Sequence, residues 1–337
     1  MKAAFSTQKY QYYQPPVPSL TTASTGPLRL GVHCRGFKTL GLIQQARLPI
    51  NLIEVKPDYF RGDEALFVCH DQHYSIQRAN FSRLVTEARA LGLAIQFHFP
   101  EVLSGINLNP GLPAAHQPML SLLAAIAEAV TDFQLEPVVT LHPPTLYWRD
   151  RQMLPNSPEA IDGALAAANV FLRQFGQAAE AKSWPLLLGI ENQAGPTPRT
   201  HALGYQLRHF EIMLAGTSSR VNLTIDSGHR LLAEDMTLSR HFLPLAQRLN
   251  KRVVDLHLHE NAGRQADEDR SDQHNLPLGE HIHGYLKYLC RAVGERIPII
   301  LEVDPEKYNP TTYLLVTMGI RALMERMEEE RAAQAAG

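Results

Sequence analysis

The sequence predicts an α/β protein folded as a closed (β/α)8 barrel. Its 337 residues suit one large domain of that kind. Eight short apolar runs alternate with longer segments of helical spacing, the pattern of parallel strands joined by helices. The last six runs each lead into histidine, aspartate or glutamate. In such barrels chemistry is placed where strands end and loops begin.

The eight runs cover 28–32, 51–55, 94–99, 137–141, 186–190, 221–225, 253–258 and 297–303. Most are dense in Val, Ile and Leu, as strands buried on both faces are. Helical patterns fill 37–46, 78–91, 118–130, 158–182, 205–215, 238–249, 280–293 and 311–333. Within 78–91, Phe81, Leu84, Val85, Ala88 and Leu91 recur at the spacing of one buried helix face. A doubly wound open sheet is the competing arrangement. It usually carries a glycine-rich first turn, and Val32-His-Cys-Arg-Gly36 is not one. No repeat or interior linker interrupts the pattern. The expected organisation is a flexible tail over 1–27 and a single barrel domain over 28–337.

Composition narrows the function. Hydrophobic residues make up 45% and charged residues 20%, enough apolar material for a large core. The formal net charge of −2 gives no global pull toward nucleic acid or acidic membranes. Cys34, Cys69 and Cys290 form no CxxC pair and no disulfide framework, which implies a reducing compartment. The first 27 residues are polar, broken by proline and without the apolar core of a signal peptide. No apolar run reaches the roughly 18 residues needed to span a bilayer. A soluble, cytoplasmic protein with no membrane partner is expected.

The strand ends carry the chemistry. The third strand ends on His98, the fourth on His142 and the fifth on Glu191. The sixth ends on Asp226-Ser-Gly-His229, the seventh on His257-Leu-His259 and the eighth on Glu302. The loop after the seventh adds Asp272 and His274. So many carboxylates and imidazoles at one barrel mouth need cations to offset their repulsion and desolvation. Imidazole with carboxylate suits Zn, Mn or Fe, and nine such ligands suit two or three ions rather than one. Of the two histidines that end the seventh strand, His257 is expected to face the axis and His259 to lie behind or outward. His33, at the end of the first strand, is a weaker candidate. His70, His73, His116, His201, His209, His241, His281 and His283 fall on helices or loops and are expected at the surface.

This order of residues resembles endonuclease IV (AP endonuclease family 2), within the xylose isomerase-like TIM-barrel superfamily. The resemblance spans about residues 28–305 and includes the His142-Pro context, Asp226-x-x-His229 and Asp272-x-His274 before Leu278-Gly279-Glu280. It implies a trinuclear cluster of divalent metals, in the family zinc, held by His98, His142, Glu191, Asp226, His229, His257, Asp272, His274 and Glu302. Glu191 would bridge two ions, and the cluster would hydrolyse a phosphodiester, in the family that of abasic-site DNA. Several positions depart from the family pattern. Gln273 replaces an arginine, His259-Glu260 replaces Asn-Asp, and the stretch after His98 has no DNA-penetrating tyrosine. The same superfamily holds sugar and sugar-phosphate isomerases and epimerases that use one metal. Glu191, Asp226, His257 and Glu302 match their ligand set, with Glu191 and Glu302 also moving protons.

The substrate is therefore expected to be a phosphodiester or a sugar phosphate. DNA is possible but unsupported by the net charge. Candidate substrate contacts are Arg35 and Lys38 after the first strand, Lys56 and Arg61 after the second, the aromatic-basic group Tyr147, Trp148 and Arg149 after the fourth, and Arg230 beside His229.

Overall fold

A computed structural model describes residues 29–148, 151–152, 154–193, 195–196, 200–229, 252–260, 274–277, 286 and 297–336. Eight parallel strands close into a barrel in chain order. They are β1 (Leu30–Cys34), β2 (Leu52–Val55), β3 (Ala94–His98), β4 (Val138–Leu141), β5 (Leu187–Glu191), β6 (Val221–Asp226), β7 (Val253–Leu258) and β8 (Ile299–Leu301). β1 pairs with both β2 and β8, so the described barrel has no open edge. Gly31 sits in this closing seam. A Cβ there would lie 2.6 Å from Ile300 Cδ1 and 3.0 Å from the Leu52 carbonyl oxygen, so the three strands meet only if that position has no side chain.

The described helices are α1 (Phe37–Ala46), α2 (Arg78–Ala90), α3 (His116–Asp132), α4 (Pro158–Ala181), α5 (Leu207–Met213) and α6 (Pro310–Ala336). α4 begins as its sequence dictates. Ser157 accepts from the Ala160 amide at 3.3 Å, and Pro158 takes the first helical position, where no amide is needed. The core lies between the helices and the barrel wall. Phe81, Leu84, Val85 and Ala88 form the buried face of α2, and Phe81 stacks on Phe97 of β3 at 6.1 Å. On α6 the buried face is Tyr313, Ile320, Met324 and Met327. Each such large apolar side chain contributes about 1.5–3 kcal/mol by leaving water.

The predicted strands and helices agree with these to within a few residues. The helices expected at 238–249 and 280–293, and the expected tail, lie outside the described residues. Short antiparallel elements not foreseen from the sequence build up the mouth. One hairpin pairs Phe67–His70 with His73–Ile76 after β2, and another pairs Val102–Leu103 with Ile106–Asn107 after β3. A three-stranded sheet joins Thr145–Trp148, Arg151–Gln152 and Thr200–Ala202.

Three histidines expected at the surface are buried instead: His116, His201 and His209. Their surroundings give the reason. His116 Nε2 donates to the Pro110 carbonyl at 3.0 Å, and His209 Nδ1 accepts from the Gly204 amide at 3.1 Å. These rings satisfy loop backbone groups that burial would otherwise leave unpaired. No described helix is long and apolar enough to cross a membrane.

Candidate metal centre

The mouth gathers eight of the nine predicted ligands: His98, His142, Glu191, Asp226, His229, His257, His274 and Glu302. Asp272 lies outside the described residues. Each position follows from the local fold. His98, Glu191, Asp226 and His257 are strand residues whose side chains reach the barrel interior. The Asp226-x-x-His229 spacing makes a tight turn in which the His229 amide donates to Asp226 Oδ1 at 2.8 Å. The Asn192 side chain ties β5 to β6, accepting from the Asp226 amide at 2.7 Å and donating to its carbonyl at 3.0 Å.

His274 returns to the mouth because the two ends of the long loop after β7 are pinned. Glu260 and Asn275 exchange two backbone hydrogen bonds of 2.8 Å. His274 then takes a left-handed backbone conformation, φ 46°. Its ring stacks on His259 with centroids 4.3 Å apart.

The hydrogen bonds assign the tautomers. His98 Nδ1 donates to the Phe99 carbonyl at 3.2 Å, His229 Nδ1 to the Asn192 carbonyl at 2.7 Å, and His274 Nδ1 to the Glu302 carbonyl at 2.8 Å. His142 Nδ1 meets Glu101 Oε1 at 2.9 Å. In all four rings the proton sits on Nδ1; in His98, His229 and His274 this leaves the lone pair on Nε2, the arrangement of a ligand held from behind, while His142 Nε2 faces the Glu191 carboxylate. His257 is reversed. Its Nε2 meets Glu54 Oε1 at 3.2 Å, while its Nδ1 lies 3.0 Å from Glu302 Oε2 and 3.2 Å from Glu191 Oε1.

The donor set fits divalent metal. Glu54, Glu191, Asp226 and Glu302 are all buried carboxylates. His142 Nε2 and Glu191 Oε2 are 2.9 Å apart, yet both Glu191 oxygens, Asp226 Oδ2 and His98 Nε2 lack an aligned hydrogen bond among the described residues. Groups that crowd without bonding one another are arranged around something else. Three-residue groups with the reach to hold an ion include His98–His142–Glu191, Asp226–His229–His259 and His259–His274–Glu302.

Charge around the site is set by competition between burial and partners. Burial and the facing Glu302 push the Glu191 carboxyl up, but His257 and His142 outweigh them and hold it well below the usual range. Burial would likewise raise Glu302, and His274, His33 and His257 hold it low. Burial would lower His142, yet the Glu101 and Glu191 carboxylates beside it raise it to about 10. His33 is pushed down to about 3 by burial, then by Lys56. For Asp226 burial prevails and raises the carboxyl.

Two expectations are corrected here. His259 is fully buried, with Nε2 2.9 Å from Asp226 Oδ2. Residues two apart on a strand share a face, so Asp255, His257 and His259 all turn inward. Arg35 and Lys38 do not line the cleft. Arg35 Nη1 meets Asp304 at 2.8 Å and Lys38 Nζ meets Glu306 at 2.6 Å, so the loop after β8 holds both. Tyr147 and Trp148 lie in the small antiparallel sheet. Their side chains, with Arg149 and Arg230, lie outside the described residues.

Sequence reasoning missed Glu54 and Glu101, and took Lys56 for a phosphate contact only. Glu54 is an acid within the apolar run Leu52–Val55, and that anomaly was the available signal. Lys56 follows it, and its ammonium lies 3.5 Å from Glu302 Oε1. Glu101 comes from the loop after β3. Lys56, Tyr59, Arg61, Phe99, Glu101 and His142 help line a cleft of about 790 Å³.

Comparison with known proteins locates the architecture. No family model matches the chain, and no curated protein matches it. Solved structures do. A D-tagatose 3-epimerase-like protein is 17% identical with a TM-score of 0.65, over 90% of this chain and 99% of the other. The fold is a (β/α)8 TIM barrel. An L-ribulose 3-epimerase is 12% identical with a TM-score of 0.57, over 92% of this TIM barrel chain and 99% of the other. An AP endonuclease of family 2 from Brucella melitensis is 11% identical with a TM-score of 0.54, over 85% and 96%. The architecture that resembles endonuclease IV is thus equally that of sugar epimerases, and identities this low establish the TIM barrel alone.

Proposed function

We propose that this chain is a metal-dependent isomerase or epimerase acting on a sugar or sugar phosphate. The observation that carries this reading is the pairing of Glu191 and Glu302. They come from β5 and from just beyond β8, and both approach His257 Nδ1, at 3.2 and 3.0 Å. Two ionised carboxylates that flank one point can serve the two faces of a carbon next to a carbonyl. The sugar epimerases among the structural neighbours support the same order of preference. The sequence had put the hydrolase first.

Glu191, Asp226, His257 and Glu302 would hold the ion, which when bound would polarise the substrate's carbonyl and hydroxyl oxygens. One carboxylate, Glu191 or Glu302, takes the proton from the substrate carbon. The other, after taking a proton from solvent, delivers it to the opposite face in an epimerisation, or to the neighbouring carbon in an isomerisation. Lys56, with its ammonium 3.5 Å from Glu302 Oε1, sets a positive charge beside that carboxylate and offers a donor to the sugar. The cleft of about 790 Å³ is of the size that encloses a small polar ligand.

The deciding experiment incubates metal-loaded protein with a panel of ketoses and ketose phosphates in D2O. Solvent deuterium should enter the carbon next to the carbonyl, and Glu191→Gln or Glu302→Gln should abolish it. Failure to exchange into any member of the panel sinks the proposal.

One observation favours a second reading, a multinuclear phosphodiesterase. His98, His229 and His274 carry Nε2 lone pairs beyond the four ligands a single ion needs. Close to three ions per chain, with metal-dependent cleavage of a synthetic abasic duplex, would reverse the preference.

A further inference from the structure

The reversed tautomer of His257 has a structural cause. Glu54 stands on β2, which does not neighbour β7, so its side chain reaches across the barrel interior to His257. Its two oxygens are divided. Oε2 takes the His33 Nε2–H at 2.8 Å and Oε1 takes the His257 Nε2–H at 3.2 Å. All three side chains are fully buried or nearly so. An ionised carboxylate only accepts hydrogen bonds, so Glu54 takes the Nε2–H and holds the ring, while Nδ1 on the other side lies 3.0 Å from Glu302 Oε2. Nδ1 then faces Glu302 and Glu191, two further acceptors. Four carboxylates, Glu54, Asp255, Glu191 and Glu302, lie within 4 Å of this one imidazole, and a cation bound at Nδ1 would offset their charge.

We propose that Glu54 is a positioning residue that fixes His257 as an Nδ1 metal ligand, with His33 holding Glu54 in turn. This rests on the metal-dependent reading of the mouth. A buried carboxylate behind a ligating histidine sets its orientation and raises its basicity, and losing it typically weakens metal binding about 10–100-fold. The other four ligand histidines use local partners for this purpose: two backbone carbonyls beside β3 and β5, the Glu302 carbonyl, and Glu101 at the rim. Only His257 draws its partner from the opposite wall. The trio His33, Glu54 and His257 has the residue types of a metal site, but both imidazole hydrogens already point at Glu54, which makes it a support instead.

The test uses the full chain, stripped by chelator and titrated with Co(II) as the probe. Glu54→Gln keeps the shape, still accepts from His257, and can be accommodated by His33 in its other neutral tautomer. The variant should bind the same number of ions as wild type, with one of them about 10–100-fold weaker and its visible bands shifted. The melting temperature of the metal-free protein should stay close to that of wild type. Glu54→Asp retains the charge and should recover part of the affinity. It also carries the test if the glutamine variant does not fold, since its shorter side chain draws back from His257.

Unchanged affinity and spectrum in Glu54→Gln overturns the assignment while leaving the metal reading intact. Loss of one whole ion with the rest unaffected also overturns it, because Glu54 would then be a ligand itself. A wild-type protein that binds no Co(II) overturns both readings together.

Discussion

Gly228 packs flat against the His259 imidazole, so closely that a Cβ would overlap the ring. His259 is fully buried and stacked on His274, so it has no room to withdraw. Gly228→Ala should therefore displace His259 from Asp226, at a cost of about 1–3 kcal/mol typical of overpacking. Thermal melting and metal content, measured together, should both fall. An alanine variant with wild-type values for both would mean that the loop after β6 yields easily and that His259 is not held in place.

Metal uptake should strengthen with rising pH. His142 is raised to about 10, so in the metal-free protein it is protonated at neutral pH. A metal must displace that proton, which makes binding pH-dependent. The folded-state value lies above the ordinary one, so the stability that His142 lends the metal-free protein is complete below about 6.5 and fades as pH rises through about 10. Titration calorimetry with Zn(II) in buffers of different ionisation enthalpy should detect proton release at pH 7. Binding that is flat with pH and releases no proton would contradict this assignment.

His209 makes the opposite prediction for acid. Burial pushes its pKa down to about 4, and as the acceptor of the Gly204 amide it must be neutral when folded. The unfolded chain binds the proton more readily, so stability is full above about 6.5 and is lost as pH falls toward 4. The loss amounts to at most about 3 kcal/mol. His209→Gln, which keeps an acceptor but cannot titrate, should show a shallower fall in melting temperature over that range. An identical fall in wild type and variant would remove His209 as the cause.

His229 and His274 distinguish the nuclearity of the centre. If the mouth holds several ions, His229→Ala or His274→Ala should each reduce the metal count by about one per chain. Elemental analysis reads this directly. An unchanged count would leave both rings as substrate or structural contacts and favour a single ion on Glu191, Asp226, His257 and Glu302.

The TIM barrel was legible because buried parallel strands are written as short Val/Ile/Leu runs, and because α2 and α4 carry clean apolar faces. That His98, His142, Glu191, Asp226 and Glu302 gather at the mouth was legible because strand ends are where such barrels keep chemistry. What stayed hidden depends on contacts between strands distant in the chain. Nothing near Glu54 indicates that it meets His257, and nothing near Arg35 indicates that Asp304 binds it. The error over His259 was of another kind. The strand period of two placed it beside His257 on the inner face, and the rule was available from the sequence.

The barrel axis is polar well below the mouth. Gln96 bonds to Asp255 across it, Thr140 Oγ1 meets Thr224 Oγ1 at 3.2 Å, and His33 and Glu54 fill the next level. Other barrels fill these layers with branched aliphatics. Here the axis adds little hydrophobic cohesion, and the outer shell between helices and wall must supply it. Replacing axial polar pairs with well-packed aliphatic ones should then give a sturdier but inert protein, a trade of activity against robustness written into the interior. Selection for heat resistance alone would be expected to erode this axis first, and its persistence in a thermostable variant would be a sign that the chemistry was still under demand.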